Sequence, residues 1–256
     1  MSDEPTYLEL QARVGTTKHM GGQDSTEELI ALCRIAPGMT VLDAGCGAGA
    51  TPRYLASRRG CRVMAVDISP EMVELARGRA QRAGLGDLVE FRAADVRRLP
   101  FEDGLFDAVL CESVLAFLSE KGQAVRELAR VAKPGARVGL NEETWLRAPP
   151  PARLVEFARR TWDIADELPT AQGWAALLWE CGLSEVEARP LAYSPRREAS
   201  QVRRYGWRDM LDMARRSLRL AFTSPAVRRR LRDARRAPPD LFDYLGYGLY
   251  AGTKPG

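Results

Sequence analysis

Histidine is almost missing: the 256-residue chain has one, His19. Its five cysteines, Cys33, Cys46, Cys61, Cys111 and Cys181, are scattered with no CxxC spacing. These shortages argue against a zinc site and against a disulfide framework, so any cofactor is expected to be organic, with no metal. Long hydrophobic runs are lacking too, and no window approaches eighteen consecutive apolar residues, which excludes an expected membrane span. The opening MSDEPTYLEL has neither the basic start nor the apolar stretch of a secretion signal, so a cytoplasmic protein is expected. Lysine is scarce while arginine abounds. Ser194 to Asp243 carries fourteen arginines against six acids, and with a net charge of +4 overall the remainder is acidic by about four. That segment is a different kind of object, although so broad an arginine bias does not by itself specify an anionic partner.

What is present fits a soluble α/β protein. The length suits one large domain or one domain with an appended lid, and the second is expected here. Two short helices are expected first, Thr6 to Val14 and Ser25 to Cys33, around the flexible Gly21-Gly22 pair. From Thr40, apolar runs of strand length alternate with amphipathic stretches, the pattern of a parallel sheet covered on both faces. The expected strands are Thr40 to Asp43, Arg62 to Val66, Val89 to Ala93, Phe106 to Cys111 and Ala136 to Leu140. Helices are expected at Thr51 to Arg59, Pro70 to Ala83 and Glu120 to Val131, with the KPG at Lys133 to Gly135 as a turn before the fifth strand. After Pro149 to Pro151 the pattern gives helices at Arg153 to Glu167 and Thr170 to Cys181, then a strand at Glu185 to Tyr193. Helices at Gln201 to Phe222 and Pro225 to Arg236 precede a last strand, Leu245 to Gly252. The expected organisation is therefore capping helices over 1–39, a Rossmann-like core over 40–193, an arginine-rich helical lid over 194–243 and a final core strand over 244–256.

A strand ending in Asp43 and running into Gly45, Gly47 and Gly49 must turn sharply, leaving backbone amides bare for a nucleotide-like ligand. Such a loop alone is weak evidence, because turn geometry or close packing explains many of them. The second strand ends in Val66-Asp67, about twenty residues on, where a carboxylate can take both hydroxyls of a ribose. A helix cap ahead of Ser69-Pro70 is the competing reading of that acid. The third strand ends in Ala94-Asp95-Val96, which adds a third acid on the same sheet edge, where ligands bind in open α/β folds.

In order and spacing, VLDAGCGAG, VMAVDISPEMVELAR, FRAADVRRLPFEDGLFDAVLCESVLAFL and ELARVAKPGARVGLNE resemble the class I S-adenosylmethionine-dependent methyltransferases. The likeness is to their small-molecule, ubiquinone/menaquinone-methyltransferase-like (type 11) group and covers roughly Ile30 to Glu142. It implies seven strands ordered 3-2-1-4-5-7-6 with the last antiparallel, helices on both faces, and S-adenosylmethionine as the cofactor. It also implies that Gly45, Cys46 and Gly47 line the methionine part, that Asp43 supports the loop and the ammonium, and that Asp67 binds the ribose. Ile68 and Met72 would flank the adenine, Asp95 with the Val96 amide would read its edge, and the Cys111 backbone would meet the amino group. An NAD-dependent oxidoreductase is the nearest different enzyme, but its GxGxxG follows the strand directly and has no counterpart to the later ADV. A cofactor-binding protein without catalysis is a further alternative.

Methyl transfer from a sulfonium is an in-line displacement, so alignment and exclusion of water matter more than any obligatory side chain. A hydroxyl or carbon acid would need a general base. His19, in TTKHMGG just before the core, is the catalytic candidate, weighed against a hydrogen-bonding lid residue. Glu112 and Ser113 after the fourth strand, and Asn141, Glu142, Glu143 and Trp145 after the fifth, should face the acceptor. Of these, Glu112, Glu142 and Trp145, with Tyr205 from the lid, are the substrate-binding candidates, against a solvated loop and a core tryptophan. Trp162, Trp174 and Trp179 read as packing residues. Met210, Leu211, Met213, Leu218, Leu220 and Phe222 among arginines fit a lid over the acceptor, an anionic membrane face, or a homodimer contact. Nucleic acid is not favoured as a partner, since no recognition motif accompanies the arginines, and a tRNA acceptor is carried only as an alternative. The acceptor is thus a small molecule, with the apolar lid pointing to a lipophilic or anionic metabolite and the acidic cleft to an amine.

Overall fold

A computed structural model of the chain describes residues 5–164, 168–234 and 236–256, and the Leu231 side chain is left out of the description. Seven strands form one sheet: β1 Thr40–Ala44, β2 Arg62–Asp67, β3 Val89–Ala93, β4 Phe106–Glu112, β5 Ala132–Trp145, β6 Ser184–Ala192 and β7 Leu245–Thr253. Their order is β3-β2-β1-β4-β5-β7-β6. The first five run parallel, and β7 pairs antiparallel with both β5 and β6, which is the arrangement the resemblance implies. Side chains alternate across the central strands. Val41 and Leu110 pack into the core with Leu29, Leu55 and Val73 on one face. Leu42 and Val109 pack with Leu128, Trp174 and Tyr250 on the other. Burial on both faces is why β1 and β4 read as continuous apolar runs.

The helices are α1 Tyr7–Val14, α2 Gly22–Leu32, α3 Ala50–Arg59, α4 Pro70–Arg82, α5 Lys121–Val131, α6 Ala152–Trp162 and α7 Ala171–Glu180. Between β6 and β7 come α8 Pro195–Ala199, α9 Trp207–Thr223, α10 Pro225–Ala234 and the single turn α11 Leu241–Tyr244. Local chemistry sets several boundaries. Thr6 and Glu9 form a reciprocal capping box at α1, and Ser69 accepts the Met72 amide at 3.2 Å to start α4 at Pro70. No helix among the described residues is long and apolar enough to cross a membrane.

Three expected boundaries shift. The fifth strand reaches from Ala132 to Trp145 rather than from Ala136 to Leu140, because KPG bends the strand at Gly135, φ 79°, and β7 pairs with its far end through Trp145. The helix expected over Gln201 to Phe222 is broken. Residues Ser200–Arg204 form a tight 3-10 turn, Tyr205 is extended, and Gly206 caps a fresh helix at Trp207. The second helix begins at Gly22, three residues earlier than expected. Of the expected helical stretches, residues 165–167 and 235 lie outside the described residues.

Candidate functional site

The carboxyl ends of β1, β2, β3 and β4 open onto a cleft of about 640 Å³, a size ordinary for a cofactor site. Its floor is the glycine loop. Gly45 and Gly47 take positive φ of 85° and 49°. A Cβ on Gly45 would lie 2.2 Å from Val114 Cγ2, and one on Gly47 would lie 2.1 Å from Thr17 Oγ1. Glycine is therefore required twice over, by conformation and by space. The loop amides are not bare, contrary to expectation. The Gly45 and Cys46 amides donate to the Val66 carbonyl at 2.8 Å each, Gly47 donates to Asp67 Oδ2 at 2.8 Å, and Ala48 donates to Thr17 Oγ1 at 2.7 Å.

Asp67 lines the cleft, and its Oδ1 accepts the Ser69 amide at 2.9 Å. Burial raises its carboxyl above the ordinary range, although the two amide bonds pull the other way. Asp95 is gripped by the Arg97 guanidinium at 2.7 Å, which holds its carboxyl low. A carboxylate has more acceptor positions than one guanidinium edge uses, so Asp95 keeps capacity for a ligand amine. Ile68, Met72 and Val96 complete the wall on that side. Seven of the ten cofactor positions implied by the resemblance thus meet the cleft: Gly45, Gly47, Asp67, Ile68, Met72, Asp95 and Val96. The other three, Asp43, Cys46 and Cys111, are buried behind it. Burial pushes Asp43 well up, and its Oδ2 has no hydrogen-bond partner among the described residues. The glycine cradle, the Asp67 and Asp95 carboxylates and this orphaned oxygen fit a cofactor with an ammonium, a ribose and an adenine. The roof consists of Leu8, Gln11, Ala12 and Arg13 of α1 with Thr17 and Lys18 of the following strap. Only the capping helices as a group were expected there, because no local signal marks which of their residues turn inward.

Behind the β4 wall lies a buried polar network. Glu112 Oε1 accepts from Thr51 at 2.8 Å and Oε2 from Thr26 at 2.9 Å, with His19 Nε2 at 3.3 Å. Asn141 Nδ2 lies 3.1 Å from His19 Nδ1, and Arg204 from the lid segment reaches Thr51 at 2.9 Å and Thr26 at 3.3 Å. Nδ1 also meets the Met20 carbonyl at 3.2 Å and Nε2 the Thr26 hydroxyl at 3.2 Å, so both ring nitrogens are in hydrogen-bond contact whichever of them carries the proton. Burial, reinforced by Arg204, lowers His19 to about 4, so the ring is neutral near pH 7. Burial opposes charge on Glu112 as well. The His19 and Arg204 fields and the two threonine bonds outweigh it and hold that carboxyl low.

A second, smaller cavity of about 120 Å³ adjoins the cleft and shares Lys18 and Phe117 with it. Tyr7, Trp162, Tyr193 and Phe242 line it, together with His19, Glu143 and Glu198. Strand alternation explains how two adjacent glutamates differ. Glu142 turns to one side, where its carboxylate accepts the Val114, Leu115 and Ala116 amides at 3.0, 3.0 and 3.2 Å. Glu143 shares the opposite side with Asn141. Its Oε1 accepts from Ser113 at 3.2 Å, while Oε2 is buried with no partner among the described residues. Burial, with repulsion from Glu198, raises Glu143 above the ordinary carboxyl range.

The expected acceptor residues therefore separate. Glu112 does reach the cofactor cleft. Glu142 holds the turn after β4 instead of facing a ligand, and Trp145 packs in the core with Leu154 and Leu245. Tyr205 ties the strap down, its hydroxyl accepting the Thr17 amide at 2.9 Å and donating to the Thr17 carbonyl at 2.7 Å. Trp162, read as packing, lines the small cavity. Both ring nitrogens of His19, the residue expected as the catalytic candidate, are engaged within the wall, while the residue also lines the small cavity.

Residues 42–140 match the family model described as a methyltransferase domain. Over 119 residues the chain is 35% identical to Methyltransferase GfsG of Streptomyces halstedii, covering 46% of this chain and 43% of that one. The 42–140 stretch of the chain belongs to the methyltransferase domain family. It is also 30% identical over 185 residues to the 27-O-demethylrifamycin SV methyltransferase of Amycolatopsis mediterranei, covering 71% of this chain and 64% of that one. Among solved structures, phosphoethanolamine N-methyltransferase 2 of Haemonchus contortus, in complex with phosphomonomethylethanolamine and S-adenosylhomocysteine, matches with a TM-score of 0.74. That match has 18% identity over 97% of this chain and 57% of the other. The [4+2]-cyclase SpnF matches with the same TM-score of 0.74 at 21% identity, over 98% of both chains. At such identities the likeness is one of fold, and a fold does not fix the chemistry it carries. The chain spans less than half of the first curated relatives it matches, at 43%, 27% and 33% of their lengths.

Proposed function

We propose that the protein transfers a methyl group from S-adenosylmethionine to a small-molecule acceptor held in the cavity beside Glu143, releasing S-adenosylhomocysteine. The observation that carries this is the shared wall of Lys18 and Phe117, which brings the two cavities together at one junction. The cofactor supplies an electrophilic methyl group on a sulfonium. The chain's own part is to align the acceptor along the carbon–sulfur axis and keep water out. The acceptor's lone pair forms the new bond as the carbon–sulfur bond breaks with its electron pair left on sulfur, and the acceptor's proton passes to a base. Glu143, raised by burial and with Oε2 unpartnered, is the group placed to take it.

The arginine-rich segment serves in this reading as the lid. Arg204 reaches into the network behind the cleft, Gln201 donates to the His19 carbonyl, and Glu198 accepts the Gly21 amide at 2.7 Å. The outer face of α9 supports a contact with an anionic membrane surface. Trp207, Leu211, Leu218 and Phe222 are all exposed, and a 3.6-residue period gathers them within about 60° of one another, flanked by Arg208, Arg215 and Arg219. Such a contact belongs to a cytoplasmic protein that meets membranes only at their surface.

Calorimetric titration with S-adenosylhomocysteine, and separately with NADH, tests the donor. Tight binding of the first and none of the second is expected, and the reverse would overturn the reading. Asp67→Ala is expected to weaken S-adenosylhomocysteine by about tenfold to a hundredfold, the worth of one or two hydrogen bonds to a charged group. Transfer of label from methyl-labelled donor into a metabolite extract separates a methyltransferase from a protein that uses the same fold for other chemistry.

A further inference from the structure

The small cavity carries more information than its position. It holds two carboxylate oxygens with no hydrogen-bond partner among the described residues, Glu143 Oε2 and Glu198 Oε2. The other oxygen of each is used, by Ser113 and by the Gly21 amide, so both carboxylates are fixed in place with one oxygen to spare. The nearest cation, Lys18 Nζ, stands 4.0 Å from Glu198 Oε2 on a largely exposed side chain. A buried acceptor without a donor is costly, so the site is built for something that donates. The cavity is also lined by Tyr7, Phe117, Trp162, Tyr193 and Phe242, with Tyr7 stacked on Phe117 and Tyr193 on Phe242, and an aromatic lining beside carboxylates favours a cation. The negative potential registers on Tyr7, whose hydroxyl is pushed up by burial and then by Glu143.

At about 120 Å³ the cavity admits only a head group. It continues into an open groove of about 520 Å³ between α1 and α9, with which it shares Tyr7, Lys18 and Glu198. That groove is lined by Leu10, Val14, Val202, Met210 and Met213, and Val202 and Met210 are exposed. A pocket that asks for a donor cation and a groove that asks for hydrocarbon meet at the same three residues.

We propose that the acceptor is an amphiphilic amine, its nitrogen held by Glu143 and Glu198 inside the aromatic cavity and its apolar body laid along the groove between α1 and α9. This rests on the methyl-donor reading above. An anion would face two carboxylates, and a neutral hydroxyl would satisfy only one of the two free oxygens. The apolar groove and the acidic cavity, which as sequence features pointed to different acceptors, serve two ends of one molecule.

The test uses the full chain saturated with S-adenosylhomocysteine and titrated with octylamine, 1-octanol, octanoate and butylamine. Octylamine is expected to bind tighter than the alcohol or the acid, and tighter than butylamine by about a hundredfold for the four added methylenes laid in the groove. Glu143→Gln and Glu198→Gln are each expected to weaken octylamine at least about tenfold, the worth of one charge-assisted bond, while S-adenosylhomocysteine affinity stays unchanged. Wild-type affinity for octylamine should fall as pH drops and Glu143 takes a proton, and Glu143→Gln should flatten that dependence. Equal or tighter binding of octanol or octanoate would overturn the proposal, as would two glutamine variants that bind octylamine like the wild type. If S-adenosylhomocysteine fails to bind in the first place, the donor reading falls instead.

Discussion

The cofactor side and the acceptor side of the cleft are built in opposite ways. The cofactor side takes Gly45, Gly47, Asp67 and Asp95 from the carboxyl ends of three successive strands, within one short stretch of chain. The acceptor side draws on residues as far apart as Tyr7, Glu143, Glu198 and Phe242. One half presents backbone curvature and carboxylates that share their bonds with the loop. The other concentrates polar groups: buried Glu112, Arg204 and the neutral His19, with the half-buried carboxylates of Glu143 and Glu198. A parallel sheet aligns successive strand ends by itself, so the first kind of site needs only local sequence. The second exists only when the strap, β5 and the lid have docked, and its stability is expected to answer to the contacts that dock them.

The strongest way to break that dependence lies at Asp209 on α9. It is buried and meets Arg53 at 2.9 Å and Arg79 at 3.3 Å, pinning the lid to α3 and α4. Asp209→Ala leaves Arg79 buried without its counter-charge and is expected to cost about 3–5 kcal/mol. Urea unfolding would show the loss, and limited proteolysis should cut within α9 first. An unchanged unfolding midpoint would mean that the acceptor side does not depend on the lid.

A smaller effect should appear with acid. His19 falls from 6.5 to about 4 in the folded protein through burial, so between these values the unfolded chain binds more protons than the native one. Stability is therefore complete above about pH 6.5 and lost as pH falls through 4, by about 3 kcal/mol at full protonation. His19→Asn should flatten that part of the stability–pH curve, while carboxylates such as Glu112, also held low, keep the remainder. If the variant follows the wild-type curve, the ring is solvated in solution.

The same contrast governs what the sequence disclosed. That Gly45, Gly47, Asp67 and Asp95 would meet at one edge of the sheet was legible because each sits a fixed step from an apolar strand, and strand ends are visible as runs. Strand order was legible only through the resemblance. Glu143 was visible as an acid near the acceptor, yet nothing local separated it from Glu142. Their difference arises from the continuation of β5 to Trp145, which KPG hid by reading as a stop before Ala136. Trp162 read as a packing residue on an amphipathic helix, and its place in the cavity depends on Tyr7 and Phe242 arriving from opposite ends of the chain. Tyr205 was expected to touch substrate; it lines the groove between α1 and α9 and its hydroxyl also holds the strap, a contact hidden in the sequence because the break at Gly206 redirects the chain just after it.

That tyrosine offers the finest test, because it joins the two sides. Its hydroxyl makes two bonds to the Thr17 backbone, and Thr17 in turn accepts the Ala48 amide beneath the cofactor cleft. Tyr205→Phe removes both bonds while leaving the ring beside Arg79, whose guanidinium stands 5.7 Å from the ring centroid. Packing is preserved, so the expected cost is about 1 kcal/mol, the net worth of one or two neutral hydrogen bonds. Because the strap roofs the cofactor, that cost should surface as S-adenosylhomocysteine binding weakened by about threefold to tenfold, with little change in unfolding midpoint. A lid residue that contacts no cofactor would then be setting cofactor affinity through the strap. Wild-type affinity in the variant would show that the two sides fold onto the sheet independently, and that the strap holds its place without the lid.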